Sequence, residues 1–280
     1  MSGPLTGRPL VAGDIALYGV GIDANSTHLA GPALGPEAIR DQLHSGSANY
    51  YTEDGVDIAA VVVDVGSIAV GNEAGSESDA DLVTNHVVET LRSGGRPLGM
   101  GGDHSITYPI LRALRSLHAD LTIVHVDAHP DLYDNFGDNR LSHASPFARI
   151  MEDGLCDRLI QVGIRTATAH QREQAQRFGV ETVEARDFQE FDARSILGPI
   201  YVSIDLDGLD PAFAPGVSHL EPGGLTTRQV IDLIAGVGGP IVGADVVELN
   251  PLTDVGGVTA MVAAKLVKEL AGRMSAGQTS

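Results

Sequence analysis

Two short stretches, Asp127-Ala128-His129-Pro130-Asp131 and Asp205-Leu206-Asp207, alternate acidic or imidazole side chains with small or apolar ones. In an extended chain this period of two places Asp127, His129 and Asp131 on one side of the backbone, and Asp205 with Asp207 likewise. A third stretch, Gly101-Gly102-Asp103-His104-Ser105, offers His104 where glycines let the chain turn. Read alone, an Asp-x-Asp is a loop or cap, and Gly-Gly-Asp-His-Ser is a helix N-cap in which Asp103 or Ser105 bonds free N–H groups. Read together, His104, Asp127, His129, Asp131, Asp205 and Asp207 would repel or lie unpaired at one edge unless a cation neutralised them.

Two divalent ions carry +4 and the four aspartates carry −4, so charge balance selects a binuclear centre. Carboxylate oxygens with two imidazoles suit octahedral Mn²⁺, with Fe²⁺, Co²⁺ or Ni²⁺ as substitutes, rather than the thiolate- or histidine-rich tetrahedra of zinc. His143, in Ser142-His143-Ala144, follows after a polar loop and stands where a proton shuttle is needed, with an unexplained loop histidine as the alternative. Glu248, in Val246-Val247-Glu248-Leu249-Asn250, is a carboxylate suited to a planar guanidinium, with a loop cap as the alternative. His125, read as facing the opposite side of its strand from Asp127, is expected to be a satisfied core histidine.

Each of these residues follows a short apolar run, and helical periods of about 3.6 lie between the runs. The pattern predicts strands at 15–20, 60–65, 97–100, 121–126, 159–162, 200–205 and 241–246. It predicts helices at 35–44, 78–93, 105–117, 169–178, 227–235 and 259–271. Strand and helix alternate without hairpin signals, and runs such as LTIVHV are apolar on both faces, which implies an α/β fold with a mostly parallel sheet between two helical layers. Ligands bind such sheets beyond the carboxyl ends of the strands, where the polar motifs lie. No repeat or linker divides residues 1–280, so one domain is expected, with a flexible tail from about 274.

Hydrophobic residues make up 43% of the chain and charged residues 20%, the composition of a globular protein. A net charge of −19 argues against nucleic acid, whose phosphates need clustered Lys and Arg. Cys156 is the only cysteine, so any metal must use nitrogen and oxygen ligands, and a reducing compartment fits. No apolar stretch approaches the ~20 residues of a membrane span, so a cytoplasmic protein is expected.

The chain resembles the ureohydrolase family, which includes arginase, agmatinase, guanidinobutyrase and formimidoylglutamase. GGDHS, DAHPD, SIDLDGLDPAFAPG and DVVELNP occur in the family's order and spacing, and the likeness runs from about Ile15 to Leu270. NSTHLAGPALGPEAIR, SHASPFARIME and APGVSHLEPGGL are similar in wording to plant-type arginases, although much of the family carries a GTGTPEPGG-like run where this chain has Gly216 to Gly224.

The resemblance implies that His104, Asp127, Asp131 and Asp205 bind one Mn²⁺, and that Asp127, His129, Asp205 and Asp207 bind the other. It makes His143 the catalytic histidine and Glu248 the carboxylate that holds the substrate guanidinium. Asn139 is a candidate contact for a substrate α-carboxylate. The implied reaction releases urea from a small guanidino substrate, L-arginine first and agmatine as the alternative, in a homotrimer or homohexamer. Two other classes remain open on the residues alone: a mononuclear zinc deacetylase and a non-catalytic homologue.

Overall fold

A computed structural model describes Leu5 and residues 8–276. The elements follow in the order β1 (Ile15–Val20), α1 (Gly35–Leu43), β2 (Val62–Ile68), α2 (Glu77–Arg92), β3 (Arg96–Gly101), α3 (Thr107–Leu114), β4 (Thr122–Val126) and α4 (Pro146–Glu152). They continue with β5 (Arg158–Ile164), α5 (Ala169–Phe178), β6 (Glu181–Glu184), β7 (Ile200–Asp205), α6 (Thr227–Gly236), β8 (Ile241–Val247) and α7 (Val258–Ala276).

All strand pairs are parallel, in the order β2-β1-β3-β8-β7-β4-β5-β6. After β3 the chain passes over two positions, which β8 and β7 later fill, and lays down β4 beyond them. The carboxyl ends of β3, β8, β7 and β4 therefore adjoin at the sheet's centre, the kind of switch point where α/β sheets bind ligands.

Helices cover both faces. Ile39 and Leu43 of α1, Val230, Ile231 and Ile234 of α6, and Ala263, Leu266 and Leu270 of α7 pack on Leu98, Val124, Val202 and Ala244 of the sheet. On the other face Val83 and Val87 of α2, Ile110, Leu111 and Leu114 of α3, and Phe147 and Ile150 of α4 pack on Tyr18, Ile123 and Tyr201. This is the expected three-layer arrangement.

The sequence pattern misses β6 and α4. The stretch Glu181-Thr182-Val183-Glu184 has no apolar run because it is an edge strand, and Pro146–Glu152 is too short to display a helical period. The expected tail is also shorter on its described side: Met274 and Ser275 belong to α7, Met274 is fully buried, and positions 277–280 lie outside the described residues.

Candidate active site

Gly102 is at the point where β3 turns into the segment bearing His104. A Cβ there would lie 1.9 Å from the Ile22 carbonyl oxygen. The close approach lets Gly102 N donate to Val20 O at 2.8 Å and Asp103 N to Ile22 O at 2.7 Å. His104 then projects beneath the ends of β4 and β7. Its Nδ1 lies 3.3 Å from Asp127 Oδ2, 3.1 Å from Asp131 Oδ2 and 3.1 Å from Asp205 Oδ2, yet it makes no hydrogen bond. Its Nε2 is engaged by Ser203 Oγ at 2.9 Å. On the other side of Asp127, His129 Nδ1 stands 3.3 Å from Asp127 Oδ1 and 3.1 Å from Asp207 Oδ2.

All six expected ligands are thus brought together, and Asp127 gives one oxygen to each group. Their route differs from the extended chain expected. β4 ends at Val126, Asp127 Oδ1 accepts His129 N at 2.5 Å, and Asp131 has φ +51, so a tight turn aims these side chains. Asp tolerates that left-handed backbone through its short polar side chain. Asp207 likewise sits in a turn that Asp205 caps by accepting Asp207 N at 2.8 Å.

His125 corrects the sequence reading. Two residues apart on a strand means the same face, and His125 Nε2 is 2.7 Å from Asp127 Oδ2. It is buried and satisfied, but within the site's support. Gln161 Nε2 lies 3.1 Å from His125 Nδ1 and donates to Pro130 O at 2.6 Å, so His125 carries its proton on Nε2 and gives it to Asp127. Strand pairing aligns Tyr18, Gly99, Asp245, Ser203, His125 and Gln161 in one row across the sheet. In that row Asp245 accepts from Tyr201 Oη at 2.5 Å, Ser203 Oγ at 2.6 Å and Thr107 Oγ1 at 2.8 Å. With Ser203 donating to Asp245, His104 Nε2–H must donate to Ser203, which leaves Nδ1 as the nitrogen that faces three carboxylates and takes up either a proton or a metal ion.

The electrostatics of the cluster point the same way. Burial, with repulsion from Asp207 and Asp127, pushes Asp205 well above the usual carboxylate range, and burial with Asp127 pushes Asp207 up to about 6. Burial opposes charge on His104, yet the carboxylates of Asp127, Asp131 and Asp205 raise it well above an ordinary histidine. Burial also works against ionised Asp127, but His125, His104 and His129 hold it well below the usual range. An orphaned imidazole nitrogen in a buried excess of carboxylate fits divalent cations bound through nitrogen and oxygen. Among the described residues, His104, His125, Asp127 and Asp131 lie close enough together to share an ion, as do Asp127, His129 and Asp207; with both ring nitrogens of His125 engaged, the first group is left with His104, Asp127 and Asp131.

Above the cluster opens a cavity lined by Asp131, Asp205, Asp207, His129, His143 and Glu248 and, further out, Thr27, Tyr133, Phe136, Thr166, Thr168, Gln171 and His219. No Lys or Arg lines it, so it favours a cationic occupant. His143 Nδ1 meets Glu248 Oε1 at 2.7 Å, and the same oxygen accepts His104 N at 2.9 Å. Burial lowers and Glu248 raises the His143 imidazole, for a net rise to about 9. Glu248 has φ +68, a conformation that a long side chain rarely adopts and that costs ~1–3 kcal/mol. Neighbouring Glu248 N, bonded to Gly102 O at 2.8 Å, pins the main chain in it.

Asn139 does not reach this cavity. Its Nδ2 donates to Asn25 Oδ1 at 2.9 Å and its Oδ1 accepts Leu141 N at 2.9 Å, so the amide is spent on holding loops together. Residues the sequence reading passed over include Arg165, which donates to the carbonyls of Asp207 at 2.7 Å and Gly208 at 3.2 Å and fixes the Asp207 turn. Ser203 and Asp245 were also missed, although each is a polar residue inside an otherwise apolar strand.

The model of the Arginase family matches residues 13–272. Arginase 1, mitochondrial, from Arabidopsis thaliana is 47% identical over 276 residues, covering 93% of this chain and 81% of the relative. The solved arginase from Medicago truncatula superposes with a TM-score of 0.89 at 42% identity, over 94% of this chain and 88% of that one. Proclavaminate amidino hydrolase from Streptomyces clavuligerus superposes equally well, TM-score 0.89, at 30% identity over 98% of this chain and 95% of that one. Among the described residues no helix is long and apolar enough to cross a membrane.

Proposed function

The chain belongs to the arginase family, and from that premise we propose that it is a metal-dependent amidinohydrolase that cleaves L-arginine to L-ornithine and urea. The observation that carries this reading is the double nitrogen–oxygen cluster built on Asp127, set directly under a cavity that is acidic and lacks Lys or Arg. His104, Asp127, Asp131 and Asp205 would hold one ion, and Asp127, His129, Asp205 and Asp207 the other, with Mn²⁺ the choice favoured by the donor set and Fe²⁺, Co²⁺ or Ni²⁺ as substitutes. Two divalent ions supply Lewis acidity, making water acidic enough to lose a proton near neutral pH and polarising the group it attacks.

The chain's own residues do the rest. The Glu248 carboxylate attracts and orients the planar guanidinium, whose N–H groups match carboxylate oxygens. His143, bonded to Glu248, stands at the same wall to pass a proton to the departing amine, which leaves poorly unless protonated. Tyr133 and Phe136, with ring centroids 5.0 Å apart, give the wall an apolar surface for a methylene chain.

Agmatine is the second reading, and one observation favours it. A substrate carboxylate would find only neutral donors such as Thr166, Thr168 and Gln171 further out. Urea release from arginine, agmatine and guanidinobutyrate with Mn²⁺, alongside metal counting, decides between them. Arginine turned over fastest with two Mn²⁺ per chain is the expected result. One zinc per chain with turnover of an acylated amine would replace this reading with a deacetylase.

A further inference from the structure

The segment Asn25–Thr27 holds none of the six metal-binding candidates yet reaches His143 at three points. Thr27 N donates to His143 Nε2 at 3.1 Å, Thr27 Oγ1 lies 2.9 Å from the same nitrogen, and His143 N donates to Asn25 O at 3.1 Å. Because a main-chain N–H can only donate, Nε2 accepts in the neutral ring, the form His143 takes once it has given up its second proton. The ring proton therefore sits on Nδ1 and is given to Glu248.

Asn25 is itself 6% exposed and anchored on every side. Its N donates to Asp103 Oδ2 at 3.0 Å and its Nδ2 to Ser105 Oγ at 3.0 Å. Its Oδ1 accepts Gly75 N and Asn139 Nδ2, each at 2.9 Å. One amide thus joins the turn that bears His104, the loop before α2 and the loop that bears His143. A buried amide with its donors and acceptor engaged is costly to disturb, because each removed partner leaves another group unpaired.

We infer that Asn25 and Thr27 are positioning residues for His143: Asn25 anchors the segment and the His143 main chain, and Thr27 sets the ring's orientation and the nitrogen that carries its proton. This deepens the amidinohydrolase reading and rests on it for the turnover readout. An error of about 1 Å in a reacting group costs on the order of 10²-fold in rate.

The test uses the full chain loaded with Mn²⁺. Asn25→Ala is expected to lower kcat roughly 10²-fold with little change in KM. Thr27→Val, which keeps shape and main-chain N–H but loses the hydroxyl, is expected to lower kcat about 10-fold, and Thr27→Ser to restore it. Amide exchange supplies a readout free of turnover: Asn25→Ala should speed exchange in both 24–30 and 139–144, since one residue ties the two. Unchanged kcat in Asn25→Ala and Thr27→Val, or faster exchange confined to 24–30, overturns the inference. If Asn25→Ala does not fold, the Thr27→Val and Thr27→Ser pair decides. If the unaltered protein releases no urea from any of the three guanidines, the functional reading fails, and exchange alone still judges the tie between the segments.

Discussion

Strands β3, β8, β7 and β4 present two unlike surfaces at the same height. Toward α1, α6 and α7 stand Leu98, Ala244, Val202 and Val124. Toward α3 and α4, one residue further along each strand, stand Gly99, Asp245, Ser203 and His125. The first surface is held by apolar burial, at ~25 cal/mol per Å² removed from water, and is indifferent to small changes of shape. The second is a buried polar row in which Ser203 donates to Asp245 and His125 meets Asp127, so it specifies the orientation of His104 and Asp127 rather than adding stability. Neighbouring positions in one sheet can therefore carry separate tasks, cohesion on one face and aim on the other.

The largest effect is expected two residues beyond the polar row, at the aspartates that follow His125 and Ser203. Asp127→Ala or Asp205→Ala should abolish both metal occupancy and urea release, measured by elemental analysis and a urea assay. A metal-free but fully active Asp205→Ala protein would sink the site.

Chelation tests the same cluster without mutation. Because Asp205 and Asp207 are raised in the metal-free fold, the folded state holds protons that the unfolded chain has lost. Their contribution to stability is present below the ordinary carboxylate range and is lost as pH rises toward about 6. The melting temperature of chelated protein should fall over that interval. Mn²⁺ at a hundred times its Kd should add about 2.7 kcal/mol per site at neutral pH, and less at pH ~5, where protons compete. An equal gain at both pH values would contradict the raised carboxylates.

Asp245→Asn should cost roughly 10–100-fold in metal affinity or turnover, although Asp245 reaches no ion, because Ser203 and His104 lose their alignment. Titration calorimetry with Mn²⁺ measures it. Leu98→Ala, on the cohesive face, should cost ~2–5 kcal/mol in denaturant unfolding and leave metal affinity and KM unchanged. If Leu98→Ala weakens metal binding as much as Asp245→Asn does, the two faces are not separate.

Several parts of this were legible in the chain. Strand ends announce themselves where an apolar run meets Asp or His, and all six donors are contiguous with such ends. His125, Ser203 and Asp245 were legible too, since each is a polar residue in an apolar strand with the parity of the aspartate or glycine beside it. Asn139 was not, because an amide in a loop has no period to betray its direction. Short elements such as β6 and α4 also lack the length over which periodicity shows.

What the amino-acid order determined by itself is local: which runs are strands, which residues follow them, and that four carboxylates and two imidazoles need a cation. The tertiary structure decided what crosses the chain. It set β3, β8, β7 and β4 side by side, gathering donors from positions 104 to 207 around Asp127 and bringing Glu248 to His143. It also laid Thr27 on an imidazole 116 residues away. Hydrogen-bond partners so distant in sequence meet only once the sheet order is formed, since no local period or propensity connects them.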